Sequence, residues 1–406
     1  MQSALLVLNA GSSSLKFAVY WVEATETPPT PIAAYHGVIE EIGRHGRFHI
    51  VRHDTISVLD QAVNTANHVQ ALRQILNWLE NSHPGLILRA AGHRVVHGGD
   101  TFSQPVRVDA LVLAALEKLI PLSPLHQPHN LGAIHALAEL RPDLAQVACF
   151  DTAFHHTLPG VARHFALPRD LAARGIRRYG FHGLSYEYIA SVLPNYLGAT
   201  AEGRVVVAHL GNGASVCALK QRQSLETSMS FTPLDGLPMG TRCGAIDPGV
   251  LLYLLREEGM PLKQLEEMLN QRSGLLGYSG ISSDVRALLA SDHPHASEAL
   301  ELFSYRISQT IAAHAVALGG LDALVFTAGI GEHATPVRTA ICDRLRWLGI
   351  TLDETANLRH GPRISDVASP ISTWVIPTNE EWIIARHTWA QVIAQTEPDN
   401  LAVDGR

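Results

Sequence analysis

Three short glycine-rich stretches follow apolar runs in this sequence, and their composition could bind a polyphosphate. They read NAGSSS (9–14), LGNGAS (210–215) and GIGEH (329–333). Backbone N–H groups in such turns bind anions without a bulky side chain in the way. None has the spacing of a P-loop or of the dinucleotide fingerprint, so each one alone also fits an ordinary hairpin turn. Three such turns at strand ends together favour three contacts on one polyphosphate ligand.

Charged side chains in unusual settings add to this prediction. Arg94 interrupts an apolar strand in GHRVVHGG, and Arg242 lies in the loop GTRCG. The planar fork of a guanidinium fits the edge of a carboxylate or a phosphoryl group with two hydrogen bonds. Asp151 ends the apolar run in ACFDTAF, a common position for a catalytic carboxylate. Lys16 follows the first turn and either lies over phosphate or is a surface lysine with a buried stem.

The elements that must position these residues alternate between strand and helix patterns, which indicates an α/β fold. Strands are predicted at 5–9, 17–22, 90–96, 146–150, 204–209, 215–219, 323–327 and 374–377, and helices at 109–119, 131–140, 187–193, 285–290 and 296–318. Ser282 or Ser283 is predicted to cap the helix at 285–290. The stretch 23–31, rich in Thr and Pro, is predicted to be an exposed loop.

An internal repeat predicts two related domains. LLVLNAGSSSLKFAV (5–19) lines up with VVVAHLGNGASVCAL (205–219), so that Gly11 aligns with Gly211. Both pieces have the pattern strand, small-residue turn, strand. The repeat spans about half of a chain of 406 residues, which is long enough for two domains and fits a duplication.

Composition excludes several classes of protein. The net charge of −7 disfavours nucleic acid as the main partner, and no apolar run has the length of a membrane span. The four cysteines lack metal spacing, so we expect buried free thiols and a cytoplasmic protein. His93 and His97 are predicted to lie on one face of a strand. Without a third ligand nearby, a structural role is favoured over a metal site for this pair.

Nine stretches of the sequence occur in the order found in acetate kinases, and the chain resembles that family nearly from end to end. They are NAGSSSLKF, GHRVVHGG, FDTAFH, RRYGFHG, HLGNGAS, FTPLDGLPMGTRCG, GISSDVR, TAGIGEH and IPTNEE. The resemblance implies an α/β fold with two duplicated actin-like ATPase (ribonuclease H-like) domains and a cleft between them. It places residues 1–151 plus 385–406 in an N-terminal domain with the acyl side and the first phosphate turn. Residues 152–384 form the nucleotide-binding domain.

The activity that the resemblance implies is reversible, in-line phosphoryl transfer from ATP to acetate, giving acetyl phosphate and ADP. Direct transfer also fits the sequence, since no Ser or Cys has a neighbouring base arranged to make it a nucleophile. A propionate or butyrate kinase, or a nucleotide-dependent switch without catalysis, are the alternatives. The family implies Mg²⁺, with Mn²⁺ as the alternative, and a cytoplasmic homodimer that binds neither nucleic acid nor membrane.

The resemblance also assigns roles to the charged residues. It places Arg94 on the acyl carboxylate, Arg242 on the transferred group and His182 as a second stabiliser of the transition state, the alternative for His182 being a core histidine bonded to backbone. The metal pair is Asn9 and Glu380, with Glu381 a bystander. Asp151 is a proton donor or acceptor in the family. Because acetate is already ionised at neutral pH, we expect Asp151 instead to orient a metal-bound water or to aim an arginine.

The remaining implied contacts concern the nucleotide and the acyl group. The nucleotide-binding positions are Lys16, Ser12, Ser14, His209, Leu210, Gly211, Asn212, Gly213, Asp284, Val285, Arg286, Gly329, Ile330, Gly331, Glu332 and His333. The acyl pocket is lined by Val96, Leu125, Phe181 and Pro233, beside Arg94. Val96 leaves room for a methyl group, but one methylene is worth only about 1–3 kcal/mol, so acetate is favoured and propionate accepted. The chain departs from the family at His333 and Gln127, where asparagine is usual, and at Ser230, Pro238 and Ala245.

Overall fold

The computed structural model describes residues 2–22 and 28–392. It divides into two compact units, one formed by Met1–Ala153 with Asn379–Arg406 and the other by Phe154–Thr378. We refer to them as the first unit and the second unit. Each is built around one β-sheet. None of the helices in the described ranges combines the length and the apolarity that crossing a bilayer requires.

The described residues form thirteen β-strands. These are β1 Ser3–Ala10, β2 Leu15–Val22, β3 Tyr35–Glu40, β4 His45–Arg52, β5 Ser57–Asn64, β6 Ile87–Val95, β7 Val106–Arg107, β8 Ala145–Phe150, β9 Arg204–Leu210, β10 Ala214–Lys220, β11 Gln223–Thr227, β12 Ala323–Thr327 and β13 Ser372–Val375.

Fifteen α-helices connect and cover these strands in the same ranges. They are α1 His68–Ser82, α2 Ala110–Glu117, α3 Gln127–Leu140, α4 Gly160–Arg163, α5 Arg169–Ala173, α6 Gly183–Leu197, α7 Pro248–Arg256, α8 Leu262–Gln271, α9 Gly274–Ser279, α10 Val285–Leu289, α11 Pro294–Leu318, α12 Ala328–His333, α13 Thr335–Arg344, α14 Glu354–Leu358 and α15 Glu380–Val392. Short 3₁₀ helices lie at Ile120–Leu122, Ala153–Thr157, Gly198–Glu202 and Arg346–Leu348.

The first unit contains an eight-stranded sheet in the order β5-β4-β3-β2-β1-β6-β8-β7. Strand β1 pairs antiparallel with β2 and parallel with β6, which in turn runs parallel to β8. Apolar residues of β1 and β2 form a core with α1 and α3. Helix α15 packs against β6, where a Cβ at Gly92 would lie only 2.6 Å from Ile384 Cγ2. The absence of a side chain at Gly92 therefore permits this close approach.

The second unit repeats the central part of this arrangement in a five-stranded sheet, β11-β10-β9-β12-β13. Strand β9 pairs antiparallel with β10 and parallel with β12, as β1 does with β2 and β6. Helix α6 packs on β9, β10 and β12 through a cluster of buried apolar residues. The two pieces of the sequence repeat thus form equivalent hairpins, and the predicted α/β fold with a duplicated domain is confirmed.

Several local predictions were wrong, and each has a physical reason. The third glycine-rich turn is a short helix, α12, because Ala328 takes a left-handed φ of 64° that starts a new helical turn directly after β12. The cap of α10 is Asp284 rather than a serine, and Ser282 Oγ accepts a hydrogen bond from the Asp284 N–H instead.

Three further predictions, on the histidine pair, the cysteines and the first loop, have different outcomes. His97 lies beyond the end of β6, so it does not share a strand face with His93. The cysteines are free thiols, three of them buried and Cys243 half-buried. In the loop predicted at 23–31, positions 23–27 lie outside the described residues.

Candidate functional site

In the first unit, Asp151 holds the guanidinium of Arg94. Arg94 lies near the end of β6, and Asp151 directly follows the neighbouring strand β8, so the parallel pairing brings them together. Arg94 donates from Nε to Oδ1 at 3.0 Å and from Nη2 to Oδ2 at 2.6 Å. Asp151 is 1% exposed, while 26% of the Arg94 side chain is exposed and can meet an anion. Of the two roles expected for Asp151, the geometry is that of aiming an arginine.

Glu380, the first residue of α15, adds a second carboxyl group near this pair. Burial raises its pKa to about 7; Arg94 opposes this shift, while Asp151 and Glu381 add to it. Burial would lower the pKa of Arg94, but the carboxylates of Asp151 and Glu380 raise it overall. When burial makes the ionised form of a carboxyl group unfavourable, a nearby cation stabilises that form. Glu380 is therefore well suited to bind one.

The donor atoms of the predicted metal pair fit a hard divalent cation. Asn9 lies near the end of β1, opposite Lys16 in the hairpin, and α15 with Glu380 packs against β1. An amide oxygen and a carboxylate suit Mg²⁺ or Mn²⁺, which need few protein ligands when phosphate and water complete the shell. Within the described ranges no group of three or more His, Cys, Asp or Glu could hold a metal by itself.

The first glycine-rich turn connects β1 and β2, and its carbonyls are held by the protein. The Gly11 N–H donates to the carbonyl of Ser14 at 2.9 Å, and the carbonyl of Ser13 accepts from the Ile42 N–H. His68 Nε2 lies 2.8 Å from the carbonyl of Gly11. Ser12 and Lys16 are exposed and Ser14 is half-buried. These three side chains are accessible to a phosphate group, and their contact with it stays a prediction.

In the second unit, two stacked histidines face the second glycine-rich turn. The rings of His182 and His209 stack with centroids 4.1 Å apart and an interplanar angle of 21°. Each Nδ1 lies 2.8 Å from a serine hydroxyl, Ser215 for His182 and Ser185 for His209. A Cβ at Gly213 would lie 3.3 Å from His182 Nε2. The Nε2 side of His182 therefore faces the turn, which has room there because residue 213 is glycine.

Arg242 approaches the same glycine from the loop between 236 and 245. Its Nη1 would lie 3.7 Å from a Cβ at Gly213, and it donates to the carbonyl of Pro233 at 3.0 Å. The loop is held by backbone hydrogen bonds from the start of α9, where the Leu275 N–H donates to the carbonyl of Met239. The structure thus brings Arg242, His182 and the turn at 211–213 together.

Gly240 joins the arginine loop to the turn, and we predict that it does not tolerate a side chain. Its N–H donates to the carbonyl of Asn212 at 3.0 Å, and an added Cβ would overlap Asn212 Oδ1. Gly240→Ala should lower stability by about 1–3 kcal/mol or raise the KM for ATP severalfold through displacement of Asn212. Thermal unfolding and steady-state kinetics measure both. Gly132→Ala in α3, with open space around its Cβ, is the control and should keep or raise the Tm. Unchanged Tm and KM in Gly240→Ala would contradict this prediction.

The third stretch, α12, is held by a residue that the sequence analysis missed. Arg338 is 0% exposed, and its Nη1 donates to the carbonyls of Gly331 and Glu332, each at 2.9 Å. Burial lowers its pKa to about 10, so it remains charged at neutral pH. Arg338 shares a helix face with Ile341 and Cys342, and this periodicity could have placed it in the core.

The predicted nucleotide positions of α12 itself differ in exposure. Gly329 has open space around it, His333 is exposed, and Gly331 packs against the end of β12. The carboxylate of Glu332 accepts from the Thr378 N–H at 3.2 Å and is therefore already engaged by the protein. Gly329 and His333 are the positions of this helix that a nucleotide could reach.

At the start of α10, Asp284 has a structural role in addition to its predicted one. Its carboxylate caps the helix by accepting from the Arg286 N–H, and it pairs with the Arg286 guanidinium at 2.7 Å. The hydrogen bond with the Arg286 side chain is the largest cause of the lowered pKa of Asp284. Val285 is buried, whereas the Arg286 side chain is 91% exposed. Of the three, Arg286 and, to a lesser extent, Asp284 at 43% exposure have side chains that reach solvent.

The predicted acyl-pocket residues belong to both units. Val96 is buried and Leu125 is exposed in the first unit, while in the second unit Phe181 is buried and Pro233 is half-buried. Asn130, which the sequence analysis missed, holds the backbone beside Val96. Its Oδ1 accepts from the Val96 N–H at 3.0 Å, and its Nδ2 donates to the carbonyl of Ala10 at 2.8 Å. Asn130 thus ties the first glycine-rich turn to the strand end that carries Arg94.

Comparison with known proteins identifies the family. A model of the acetokinase family matches residues 4–386. The chain belongs to the acetokinase family. An acetate kinase of Rhodopseudomonas palustris is 54% identical over 393 residues, which cover 96% of this chain and 98% of the relative. An acetate kinase of Nitrobacter hamburgensis is 47% identical over 387 residues, 95% of each chain.

Solved structures of two kinases also resemble this structure over nearly the whole chain. The crystal structure of Porphyromonas gingivalis acetate kinase superposes with a TM-score of 0.85 at 36% identity, covering 96% of this chain and 99% of the other. A propionate kinase from Francisella tularensis gives a TM-score of 0.88 at 36% identity, with the same coverage. The family resemblance and the fold predicted from the sequence are confirmed, whereas the roles of individual residues stay predictions.

Proposed function

We propose that this protein catalyses reversible phosphoryl transfer from ATP to acetate, giving acetyl phosphate and ADP. The observation that carries the proposal is the bidentate hold of the buried Asp151 on Arg94 in an acetokinase-family chain. A fixed guanidinium is the group that a small carboxylate substrate needs, because it binds both carboxylate oxygens. A nucleotide switch has no use for such a group.

The acceptor side of the reaction requires orientation rather than activation. Acetate is ionised at neutral pH, so no base has to remove a proton before attack. Arg94 binds the carboxylate and reduces its repulsion from the γ-phosphate. Asp151, buried behind the guanidinium, keeps it charged and fixed in direction. Val96 limits the space beside the methyl group, and the acyl carboxylate oxygen attacks phosphorus in line with the leaving ADP oxygen.

The donor side of the reaction supplies positive charge and hydrogen-bond donors to the transferred group. Catalysis of this transfer is mainly positioning and electrostatic stabilisation of the equatorial oxygens. Arg242 and His182 lie together at Gly213 and serve this purpose, while the N–H groups of the glycine-rich turns and Lys16 bind the phosphate chain. Asn9 and Glu380 would hold Mg²⁺ or Mn²⁺, which when bound neutralises charge on the phosphates.

The test is trapping of acyl phosphate with hydroxylamine, with ATP and Mg²⁺, across formate, acetate, propionate and butyrate. We expect the highest kcat/KM with acetate and a lower value with propionate, since a pocket discriminates one methylene by only about 1–3 kcal/mol. A preference for propionate would support the alternative within the family, a propionate kinase like the Francisella protein. Absence of hydroxamate with every acid would overturn the proposal and favour a nucleotide switch.

We further propose that the protein is a cytoplasmic homodimer that pairs through α7. This helix has no buried residue, and its apolar side chains Val250, Leu252, Tyr253 and Leu255 are all exposed, Leu252 by 60%. An apolar helix face of this kind is usually covered by a partner. Leu252→Asp should convert the dimer to a monomer by light scattering, whereas Leu111→Asp, at an exposed leucine of α2, should leave the mass unchanged. A monomeric wild type would refute the proposal.

A further inference from the structure

Behind His182 lies a buried chain of two hydroxyl groups that the sequence analysis did not identify. His182 directly precedes α6, and Tyr186 lies on this helix one turn further along. The phenol oxygen of Tyr186 lies 2.5 Å from Ser215 Oγ. Ser215, on β10, lies 2.8 Å from His182 Nδ1. Tyr186 and Ser215 are both 0% exposed, so water does not compete for their hydrogen bonds. Each of the two hydroxyl protons must therefore be accepted by a protein atom, and the acceptors within reach decide which way each hydroxyl group donates.

The phenol proton of Tyr186 has a single acceptor. Burial raises the pKa of Tyr186 well above 10, so the phenol stays protonated. The backbone N–H of His209 partly opposes this rise of the pKa, and as a donor it cannot accept the phenol proton. Among the described residues, Ser215 Oγ is the remaining group within hydrogen-bond distance of this oxygen. Tyr186 therefore donates to Ser215.

The proton of Ser215 then has a single acceptor as well. The Ser215 oxygen accepts from Tyr186, and the other hydrogen bond of its side chain within the described ranges is with His182 Nδ1. If Nδ1 carried a proton and donated it instead, the serine proton would be buried without an acceptor. Such an unpaired buried donor costs about 1–3 kcal/mol. Nδ1 of His182 is consequently an acceptor and carries no proton.

Two neighbouring groups favour the same protonation state. The His209 ring is stacked on His182 at 4.1 Å, and Arg242 Nη1 approaches Gly213 as His182 does. A positive charge on His182 would lie close to the charge of Arg242, and two charged imidazoles in a stack would repel each other. A neutral imidazole without a proton on Nδ1 carries its proton on Nε2, the nitrogen that faces the glycine turn.

We propose that Tyr186 and Ser215 are positioning residues that fix His182 as the neutral Nε2–H tautomer. The Nε2–H then points toward the turn at Gly213, where it can donate a hydrogen bond to a bound anion without requiring an imidazolium. In the proposed reaction this donor stabilises an equatorial oxygen of the transferred phosphoryl group, and no proton is transferred. The assignment of the tautomer stands on its own, whereas its catalytic consequence rests on the proposed function.

The tautomer can be measured directly on the full-length protein. With ¹⁵N-labelled histidine, the ring nitrogens of His182 are assigned by loss of their signals in His182→Gln. At pH 7.5 we expect a protonated Nε2 and an unprotonated Nδ1 for His182 in the wild type. Ser215→Ala, or Tyr186→Phe if Ser215→Ala does not fold, should shift both signals toward a mixture of tautomers. An Nδ1–H tautomer or an imidazolium in the wild type would overturn the proposal.

The catalytic consequence has a matched control in the same sheet. Ser215→Ala should lower kcat about tenfold. This is less than the loss from removing a preorganised donor altogether, because His182 is still present but its tautomer is no longer fixed. The KM for ATP should stay within about twofold of the wild-type value. Ser224→Ala removes a buried hydroxyl that bonds His155 Nδ1 at 2.8 Å and should leave kcat unchanged. An equal fall of kcat in both variants would count against a positioning role. A wild type without kinase activity would instead refute the proposed function and leave the tautomer assignment standing.

Discussion

Replacing Arg242 by lysine is expected to lower kcat about a hundredfold to a thousandfold, the loss typical of removing a preorganised group at developing charge. The lysine keeps the positive charge but loses the planar fork that binds two phosphoryl oxygens at once. It also loses the hydrogen bond to the carbonyl of Pro233, which helps to hold the side chain beside Gly213. The hydroxamate assay at saturating ATP and acetate measures kcat, and thermal unfolding checks that the fold is intact.

Arg272→Lys is the matched control for this substitution. Arg272 belongs to the same unit and directly follows α8, but its side chain is half exposed and pairs with Glu267 at 3.4 Å. A surface pair of this kind contributes about 0–1 kcal/mol to stability and nothing to the reaction. We expect wild-type kcat and Tm. An Arg242→Lys enzyme with kcat close to that of the wild type would show that Arg242 does not touch the transferred group.

The parts of the fold that the sequence predicted are those with a strong local signal. Strands β1, β6, β8 and β9 are continuous apolar runs, and their boundaries differ from the prediction by a few residues at most. Arg94 and Asp151 stood out because each interrupts or ends such a run. Their contact follows from two parallel strands that end at the same edge of the sheet.

The parts that the sequence did not predict depend on packing between distant segments. Strands β3 and β5 were missed because few of their residues are buried and their apolar pattern is weak. In β4 the buried residues Gly46, Phe48 and Ile50 alternate with charged residues and histidines, a pattern too short to stand out. Ser215 and Asn130 act through hydrogen bonds to residues 33 and 34 positions away along the chain. Asn130 does not differ in its local sequence from an ordinary helical asparagine, and the glycine-rich stretch that contains Ser215 does not say which side chain the serine contacts, so only the folded structure reveals the partner of each.

Replacing Asp151 by asparagine is the other substitution with a large expected effect on activity. Asp151 both orients the guanidinium of Arg94 and compensates its charge. Asp151→Asn keeps the shape but replaces one carboxylate oxygen by an NH₂ group, which opposes the N–H donors of the guanidinium. Truncating one partner of a buried, hydrogen-bonded charge pair typically costs about 2–5 kcal/mol. We therefore expect kcat/KM for acetate to fall about thirtyfold to five-thousandfold, at 1.36 kcal/mol for each factor of ten, with the KM for ATP changed far less. Steady-state kinetics with each substrate varied in turn separates the two.

A double-mutant cycle with Arg94→Lys distinguishes aiming the arginine from a direct role as a base. If Asp151 acts through Arg94, the two substitutions share one interaction, and Asp151→Asn should cost little in the Arg94→Lys background. If Asp151 instead removes or donates a proton, the two losses should multiply. The first outcome agrees with the three hydrogen bonds between these side chains and with an acceptor that is already ionised. Multiplying losses would show that the pairing of Asp151 with Arg94 is incidental to its role in the reaction.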